Sequence, residues 1–327
     1  MAAMRHALPQ ANLVVLRRAE STQPTETLKA AGVKIVSTME DLLRSRPDLA
    51  VVASPATLHP SHVLDLVDHV STLLIEKPLA ASLEGACEIE AAVSRANAKA
   101  VLGYHLRFSP TVLAALSEVK ASCGEVLDFE LSVGQALETW RPGADSSSSV
   151  SARRDLGGGV LLELSHELDA LRYLVGAGTR LRATLDTGGA PTDGFVESVA
   201  DIWVQTSSRT SGHIHLDMVS DPPFRTWRIL GSDTTVRADL LSGEVWSEGD
   251  DGLARMVFKG PRSEREVAEA NLIEHVLDVW RGACQPRCTL ADGIAALALV
   301  EASHESAASG GLVVRVATMQ ESVDRWT

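Results

Sequence analysis

The sequence has few cysteines, few aromatic residues and a shortage of positive charge. Its 327 residues include 4 cysteines, 4% aromatic side chains and 30 basic against 43 acidic residues, which gives a formal charge of −13. Four cysteines are too few for a disulfide scaffold, and the acidic balance argues against binding to nucleic acid or to an anionic membrane. The longest apolar run, 294–300, is far shorter than the roughly 18 residues of a membrane span. We therefore expect a cytoplasmic globular protein whose ligands are small molecules.

The sequence also gives little sign of a metal site. Cys284 and Cys288 are the one pair of cysteines close together, separated by Gln-Pro-Arg. No second cluster of ligands accompanies them, and their spacing is not the usual two-residue gap of a zinc or redox motif. We interpret the pair as two thiols flanking a turn, and we predict no metal.

Short apolar runs alternate with helical patterns over the first hundred residues. The runs cover 13–16, 33–36, 49–53, 72–75 and 100–104, and the helical patterns cover about 25–31, 39–45, 60–69 and 82–97. Unbroken apolar strands are typical of a parallel sheet that helices cover on both faces. Right-handed strand–helix–strand units then predict an α/β, doubly wound parallel sheet in a first domain, 1–105.

The pattern changes after about residue 120. Apolar and polar residues alternate in 198–205 and 212–218, with similar segments near 125–133, 180–186, 225–230 and 253–258. A period of two marks strands with one buried and one solvent-exposed face. With helical patterns near 159–175, 264–283 and 291–308, they predict a second α/β domain, 106–327, built on an open and largely antiparallel sheet.

Glu76-Lys77-Pro78 follows the run 72–75 directly. Ligands of open α/β sheets bind beyond the carboxyl ends of the strands, so this triplet lies where a coenzyme or substrate is expected. A lysine there can polarise a hydroxyl or carbonyl oxygen as a hydride leaves or arrives. The alternative is an exposed Glu–Lys pair beside a turn.

A second motif, Gly157-Gly158-Gly159, precedes an amphipathic helical segment that carries Glu163 and His166. Glycines permit close approach of a ligand to the start of a helix. Residues three apart share a helix face, and a histidine beside an alcohol is a natural proton acceptor. The alternative is a structural histidine.

These segments, in this order, resemble the Gfo/Idh/MocA family of NAD(P)-dependent oxidoreductases, over about residues 5–316. The resemblance implies a Rossmann domain and a second domain whose open sheet lines the active site and mediates homo-oligomerisation. It implies hydride transfer between a nicotinamide and a sugar, nucleotide sugar or cyclitol. The implied catalytic residues are Lys77, His166 and Glu163; Ser54, Pro55, His59, Glu76 and Lys77 would line the coenzyme pocket, and Arg107, Trp140 and Arg141 would face substrate.

Two departures from the family pattern stand out. The family helix usually reads Asp-x-x-x-His, whereas here Glu163 precedes His166 by three and Glu167 follows it, so either glutamate could face the site. The family also begins with a strand and a Gly-x-Gly-x-x-Gly turn that binds the coenzyme phosphates. This chain has no such motif, so about 25 residues of the first strand–helix unit, including a central strand, are expected to be missing. A miscalled start codon or a strand supplied by another chain would explain the gap.

Coenzyme choice depends on the residues after the run 13–16. Members of the family that prefer NAD carry an acidic residue there, whereas this chain has Arg17 and Arg18, which suit a 2′-phosphate. The sequence thus favours NADP somewhat over NAD, and two solvated arginines are the alternative. The competing hypothesis for the whole chain is a non-catalytic descendant that binds a sugar or a protein partner.

Overall fold

The computed structural model describes residues 2–17, 26–140, 143, 145–190, 192 and 196–326. In the first part of the chain, short strands alternate with helices, as predicted. The elements are α1 (Ala2–Ala7), β1 (Val14–Leu16), α2 (Glu26–Ala30), β2 (Lys34–Val36), α3 (Met39–Leu43), β3 (Leu49–Val52), α4 (His59–Leu66), β4 (Thr72–Ile75), α5 (Leu83–Ala96) and β5 (Lys99–Leu102).

All five strands pair in parallel, which confirms the predicted sheet type, but they form two separate sheets. β1 pairs with β2, and β4 lies between β3 and β5. Within the described ranges, no strand pairs with the second edge of β1 or β3. The side chains of β4 are all buried, whereas Val51 of β3 is 42% exposed. β1–β2 and β3–β4–β5 are therefore two separate parallel units in the described part of the chain.

The second part of the chain builds one large sheet and the helices that cover it. Its elements are α6 (Pro110–Ser122), β6 (Val126–Gly134), α7 (Leu137–Trp140), α8 (Val160–Glu163), α9 (His166–Leu174), β7 (Gly178–Asp186), β8 (Val199–Thr206), β9 (Ser211–Asp217), β10 (Phe224–Gly231), β11 (Thr235–Asp239), β12 (Glu244–Glu248), β13 (Ala254–Lys259), α10 (Glu264–Arg281), α11 (Leu290–Ala308), β14 (Val314–Arg315) and α12 (Met319–Trp326). The strand order is β13-β12-β11-β10-β6-β9-β8-β7-β14, antiparallel except between β6 and β9.

Three of these strands were absent from the sequence prediction. β11, β12 and β14 are short, and charged residues occupy their solvent-facing positions, so they give neither an apolar run nor a long alternation. The predicted domain boundary at 105/106 falls within the 3₁₀ helix His105–Phe108. Helices α10 and α11 return to pack on this turn and on α5, so the C-terminal helices help to hold the two parts together.

The large sheet has a buried inner face and an open outer face. On the inner face, Phe129, Ile214 and Trp227 are almost completely buried, and α8, α9 and α11 contact this part of the molecule. The outer face carries polar and aromatic side chains, among them Trp203, which stacks on His213. The inner face is therefore the one that can contribute to a site between the two parts of the chain.

His215 on the outer face links the stability of the fold to pH. Its Nδ1 lies 2.8 Å from Asp201 Oδ1 and its Nε2 3.0 Å from Asp217 Oδ2. The hydrogen bond to Asp217, followed by that to Asp201, raises the pKa of His215 from 6.5 to about 9. Because the folded state binds this proton more tightly, the stabilisation is complete below pH 6.5 and disappears as pH rises through about 9.

We expect the free energy of unfolding to fall by about 1–2 kcal/mol across this pH interval, the value being reduced because the site is partly exposed. Urea unfolding at several pH values measures this decrease. His215→Gln should remove it, and His69→Gln, at an exposed position, should keep it. A His215→Gln variant with the pH dependence of the original chain would show that the two carboxylates do not hold a charged ring.

Candidate active site at the interface of the two domains

Lys77 extends from the carboxyl end of β4 to the start of the second domain. Its Nζ donates a hydrogen bond to the backbone oxygen of Glu163, at 2.7 Å, and lies 3.7 Å from Glu163 Oε2. The two side chains are only 19% and 18% exposed. The structure therefore brings together the lysine and the glutamate that the sequence predicted to share one site.

The last of the three glycines before α8, Gly159, packs against another carboxylate, that of Glu197. Gly159 has φ +113°, a backbone conformation that favours glycine, and a Cβ atom there would lie 2.6 Å from Glu197 Oε1. Glu197 accepts hydrogen bonds from the first turn of α8, at Val160 N through its backbone oxygen and at Leu161 N through Oε1. Glu197 thus takes two N–H groups at the helix start where the sequence predicted a ligand, and the ligand contact stays a prediction. Glu197 is remote in sequence, and no local pattern indicates its role.

The segment predicted as one helix over 159–175 is two helices. α8 ends at Glu163, Leu164 leaves the helical conformation with φ −103° and ψ 27°, and α9 begins at His166. Glu163 and His166 therefore do not share one continuous helix face, although both remain next to the break. The break places His166 at the first position of α9.

His166 is buried among aromatic rings. Its ring centre lies 4.5 Å from that of His105 and 5.3 Å from that of Tyr104, in edge-to-face arrangements. Tyr104 in turn donates a hydrogen bond to Ser165 Oγ at 3.2 Å. The Nδ1 atom of His166 is buried and has no hydrogen-bond partner. Within the described residues this ring nitrogen therefore keeps its hydrogen-bonding capacity unused.

Both imidazoles at this point are neutral at physiological pH. Burial lowers the pKa of His166 well below its ordinary value, and the nearby His105, Arg225 and Lys77 lower it further. Burial likewise lowers the pKa of His105 to about 3, with Arg225 as the next cause. His166 therefore rests in the neutral form, which has a ring nitrogen that can accept a proton. His105 was missed as a candidate, although its place just after β5, at the carboxyl edge of the sheet, is a usable signal.

Glu167 binds side chains of the large sheet. Its carboxylate is fully buried and accepts two hydrogen bonds from Arg225 on β10, from Nε and Nη2, each at 2.8 Å. Trp227 Nε1 donates a third, at 3.2 Å. The alternative that the sequence left open is thus resolved, because Glu163 contacts Lys77 and Glu167 binds the sheet.

Arg107 is part of a buried ion-pair network instead of a substrate surface. Its Nε and Nη2 donate to the two carboxylate oxygens of Asp169, at 2.9 and 2.6 Å. Nη1 donates to the backbone oxygen of Arg287 and to Asp292. The protein therefore supplies acceptors to all three guanidinium nitrogens, and the predicted substrate contact at Arg107 disagrees with the structure.

The residues predicted to line the coenzyme pocket lie in the loops after β3 and β4. Ser54 Oγ is 2.9 Å from His62 Nδ1, and His59, which is buried, joins the two loops through Ser54 O and Leu79 O. Pro55 precedes the 3₁₀ helix Ala56–Leu58 of the same loop. His59 thus joins the two loops that carry the predicted coenzyme-binding residues.

Glu76 lies over Gly103, where a Cβ atom would be 2.9 Å from Glu76 Oε2. Burial raises the pKa of this carboxyl group.

Trp140 donates from Nε1 to Gln135 O at 3.0 Å. Of the remaining candidates, Arg17 donates its backbone N–H to Val36 O, and Arg18 and Arg141 lie outside the described residues.

Two negative findings apply to the described part of the chain. No group of three or more His, Cys, Asp or Glu side chains in it is arranged to hold a metal ion. No helix in it is both long enough and apolar enough to cross a membrane.

Comparison with known families identifies the chain. The model of an oxidoreductase family with an NAD-binding Rossmann fold, Gfo/Idh/MocA, matches residues 1–104, and the model of the C-terminal domain of that family matches 120–237. The chain belongs to the Gfo/Idh/MocA family. This confirms the predicted Rossmann-like fold, the second domain and the oxidoreductase class.

Individual relatives are distant. The chain is 24% identical to the rhizopine catabolism protein MocA of Rhizobium meliloti over 85% of this chain and 82% of that protein. It is 23% identical to inositol 2-dehydrogenase of Rubrobacter xylanophilus over 74% and 68% of the two chains. An uncharacterized oxidoreductase of Streptococcus pneumoniae is 28% identical over 44% of this chain, and the match spans only 39% of that protein's length. Among solved structures, levoglucosan dehydrogenase with NADH and levoglucosan superposes with a TM-score of 0.83 at 20% identity, covering 97% and 94% of the two chains.

The residues of this chain fit one end of the dinucleotide that the family fold holds. Lys77 and the unpartnered Nδ1 of His166 can receive a nicotinamide and a reacting alcohol. For the phosphates of the dinucleotide the fit is poorer, because the 327 residues contain no Gly-x-Gly-x-x-Gly turn to bind them.

Proposed function

We propose that this oxidoreductase transfers hydride between a nicotinamide coenzyme and a hydroxyl-bearing carbon of a sugar, nucleotide sugar or cyclitol. The observation that carries the proposal is the contact of Lys77 with Glu163 beside the buried His166. The coenzyme, when bound, supplies the hydride acceptor or donor. Every other chemical task belongs to side chains of this site.

Lys77 orients and polarises the reacting oxygen. One N–H of its ammonium group donates to Glu163 O, and the remaining two N–H groups can donate to the substrate. The positive charge stabilises an alkoxide as it forms, and the low exposure of the site strengthens this effect. Glu163 holds the ammonium group in place through its backbone oxygen and its carboxylate.

His166 accepts the proton of the substrate hydroxyl. Its lowered pKa keeps the imidazole neutral, and the buried Nδ1 lacks a partner that a hydroxyl group would provide. Tyr104 and His105 fix the ring through their edge-to-face contacts. In the direction of carbonyl reduction the same ring returns the proton.

The names of the relatives support the substrate class. They include an inositol dehydrogenase and a levoglucosan dehydrogenase, and a solved neighbour of 20% identity, the WlbA dehydrogenase of Bordetella pertussis, is described in complex with NADH and UDP-GlcNAcA. NAD(H) is the coenzyme of the matched family description. The finer proposal of a preference for NADP rests on Arg17 and Arg18 in the sequence.

An activity screen tests this function. We expect the purified chain to reduce NAD⁺ or NADP⁺ in the presence of at least one sugar or cyclitol, measured as absorbance of the reduced nicotinamide ring. A higher kcat/KM with NADP⁺ would support the role of the two arginines, and a higher value with NAD⁺ would contradict it.

A non-catalytic, ligand-binding role is the second candidate, and the missing Gly-x-Gly-x-x-Gly turn favours it. Loss of two or three charge-assisted hydrogen bonds to phosphate, at roughly 1.5–3 kcal/mol each, would weaken coenzyme binding strongly. Titration with NADPH and NADH, followed by fluorescence of the reduced ring, separates the two candidates. Micromolar affinity excludes this second role, and an absence of binding excludes catalysis by this chain.

Two further properties complete the proposal. The outer face of the large sheet, with exposed Trp203 and Met256, is the surface through which we propose that the chain forms a homo-oligomer, which light scattering can measure. All four cysteines are free thiols, which is typical of a reducing compartment and supports the predicted cytoplasmic location.

A further inference from the structure

Arg225 lies on the inner face of the large sheet, at the start of β10. Its side chain is 16% exposed, and it binds the fully buried carboxylate of Glu167 in a two-pronged contact. Glu167 directly follows His166 in α9. Arg225 is thus held at the same end of α9 as the proposed proton acceptor.

This contact uses only part of the guanidinium group. Nε and Nη2 donate to Glu167, whereas Nη1 makes no hydrogen bond within the described residues. Trp227, two residues further along β10 and also on the inner face, donates to Glu167 Oε1, the oxygen that Arg225 Nε also contacts. One donor-bearing nitrogen of a rigidly held arginine therefore remains for a ligand.

The charge of this arginine is already balanced. Glu167 contributes one negative charge at hydrogen-bond distance, just as Glu163 faces Lys77 and Asp169 faces Arg107. An anionic group near Nη1 would lose its hydration in a site that has little solvent. The carboxylate of Glu167 already balances the charge of Arg225, so the arginine would offset little of that free-energy cost. A hydroxyl oxygen needs only a donor, and Nη1 supplies one.

We propose that Arg225 contacts the substrate through Nη1 and, because Glu167 neutralises it, selects an uncharged polyhydroxylated ring over a phosphorylated or carboxylated sugar. The inference rests on the proposed function and narrows its substrate class. Arg225 acts here as a specificity residue, and Glu167 is a positioning residue that acts through it.

The test measures kcat and KM of the wild-type enzyme and its variants with two substrates. One is a neutral sugar that the enzyme oxidises, and the other is the phosphate monoester or the uronic acid of that sugar. Arg225→Lys keeps the charge but loses the two-pronged geometry. We expect it to raise KM for the neutral sugar about 10-fold, with a smaller change in kcat, since one hydrogen bond to a charged donor is lost. Arg228→Lys, on the same strand but facing the outer surface, is the matched control and should leave both constants unchanged.

Glu167→Gln exposes the charge of Arg225 and should increase the ratio of kcat/KM for the anionic analogue to that for the neutral sugar by about 10-fold. A wild-type enzyme that prefers the anionic analogue, or an Arg225→Lys variant with unchanged KM, overturns this proposal while the proposed function stands. If the wild-type chain oxidises no sugar at all, the proposed function fails as well. Thermal unfolding of each variant shows that it is folded; if Glu167→Gln does not fold, the Arg225→Lys result decides alone.

Discussion

Replacing Lys77 by methionine is expected to lower kcat for sugar oxidation by about 10²–10³-fold. Methionine matches the length of the lysine but offers neither the charge nor the N–H groups that stabilise the developing alkoxide. Because Nζ contacts Glu163 rather than the predicted coenzyme loops after β3, the affinity for the reduced coenzyme should change little. Steady-state kinetics together with a fluorescence titration measure both quantities.

The control for this experiment is Lys120→Met, an exposed position on α6, which should leave kcat unchanged. A Lys77→Met variant that retains full turnover would show that another group polarises the reacting oxygen. Equal losses of turnover and coenzyme affinity would place the lysine in the coenzyme pocket instead.

Arg107→Met is expected to reduce the free energy of unfolding by about 3–5 kcal/mol, a large fraction of the stability of a typical domain. The substitution leaves Asp169, whose side chain is 3% exposed, without its two-pronged partner. Burial already raises the pKa of Asp169 to about 6 despite the arginine, so an unpaired carboxylate there is costly. Urea unfolding measures the loss.

The double variant Arg107→Met/Asp169→Leu is expected to recover much of this loss, because it removes both charges together. Arg44→Met, which breaks exposed ion pairs with Glu40 and Asp41, should change the stability by no more than about 1 kcal/mol. If Arg107→Met lowers the free energy of unfolding no more than Arg44→Met does, the buried ion-pair network around Arg107 does not stabilise the protein as proposed.

The sequence predicted the parts of the fold that local patterns determine. Apolar runs located all five parallel strands, and the rule that ligands bind at carboxyl ends placed Lys77 beside the helices that carry Glu163 and His166. The expectation of a missing central strand rests on the absence of one motif, Gly-x-Gly-x-x-Gly, and it stays a prediction.

The remainder depends on partners that are distant along the chain. Nothing near Arg107 indicates that Asp169 and Asp292 will enclose it, so an arginine in a loop was interpreted as a substrate ligand. The choice between Glu163 and Glu167 could not be made from spacing, because the break at Leu164 separates two helices that share one periodic pattern. Arg225 was missed for the same reason, since its role is visible only once β10 packs on α9.

The central claim is that Lys77, Glu163 and His166 form a site for hydride transfer, and isotope transfer tests it most directly. The measurement uses NADH labelled with deuterium at the transferable position of the nicotinamide ring and the keto form of a sugar substrate, with mass spectrometry of the product. The account predicts that the sugar acquires one carbon-bound deuterium with the wild-type chain, and that Lys77→Met transfers the label about 10²–10³-fold more slowly. A chain that binds NADH and the keto sugar yet leaves the label on the coenzyme would contradict it.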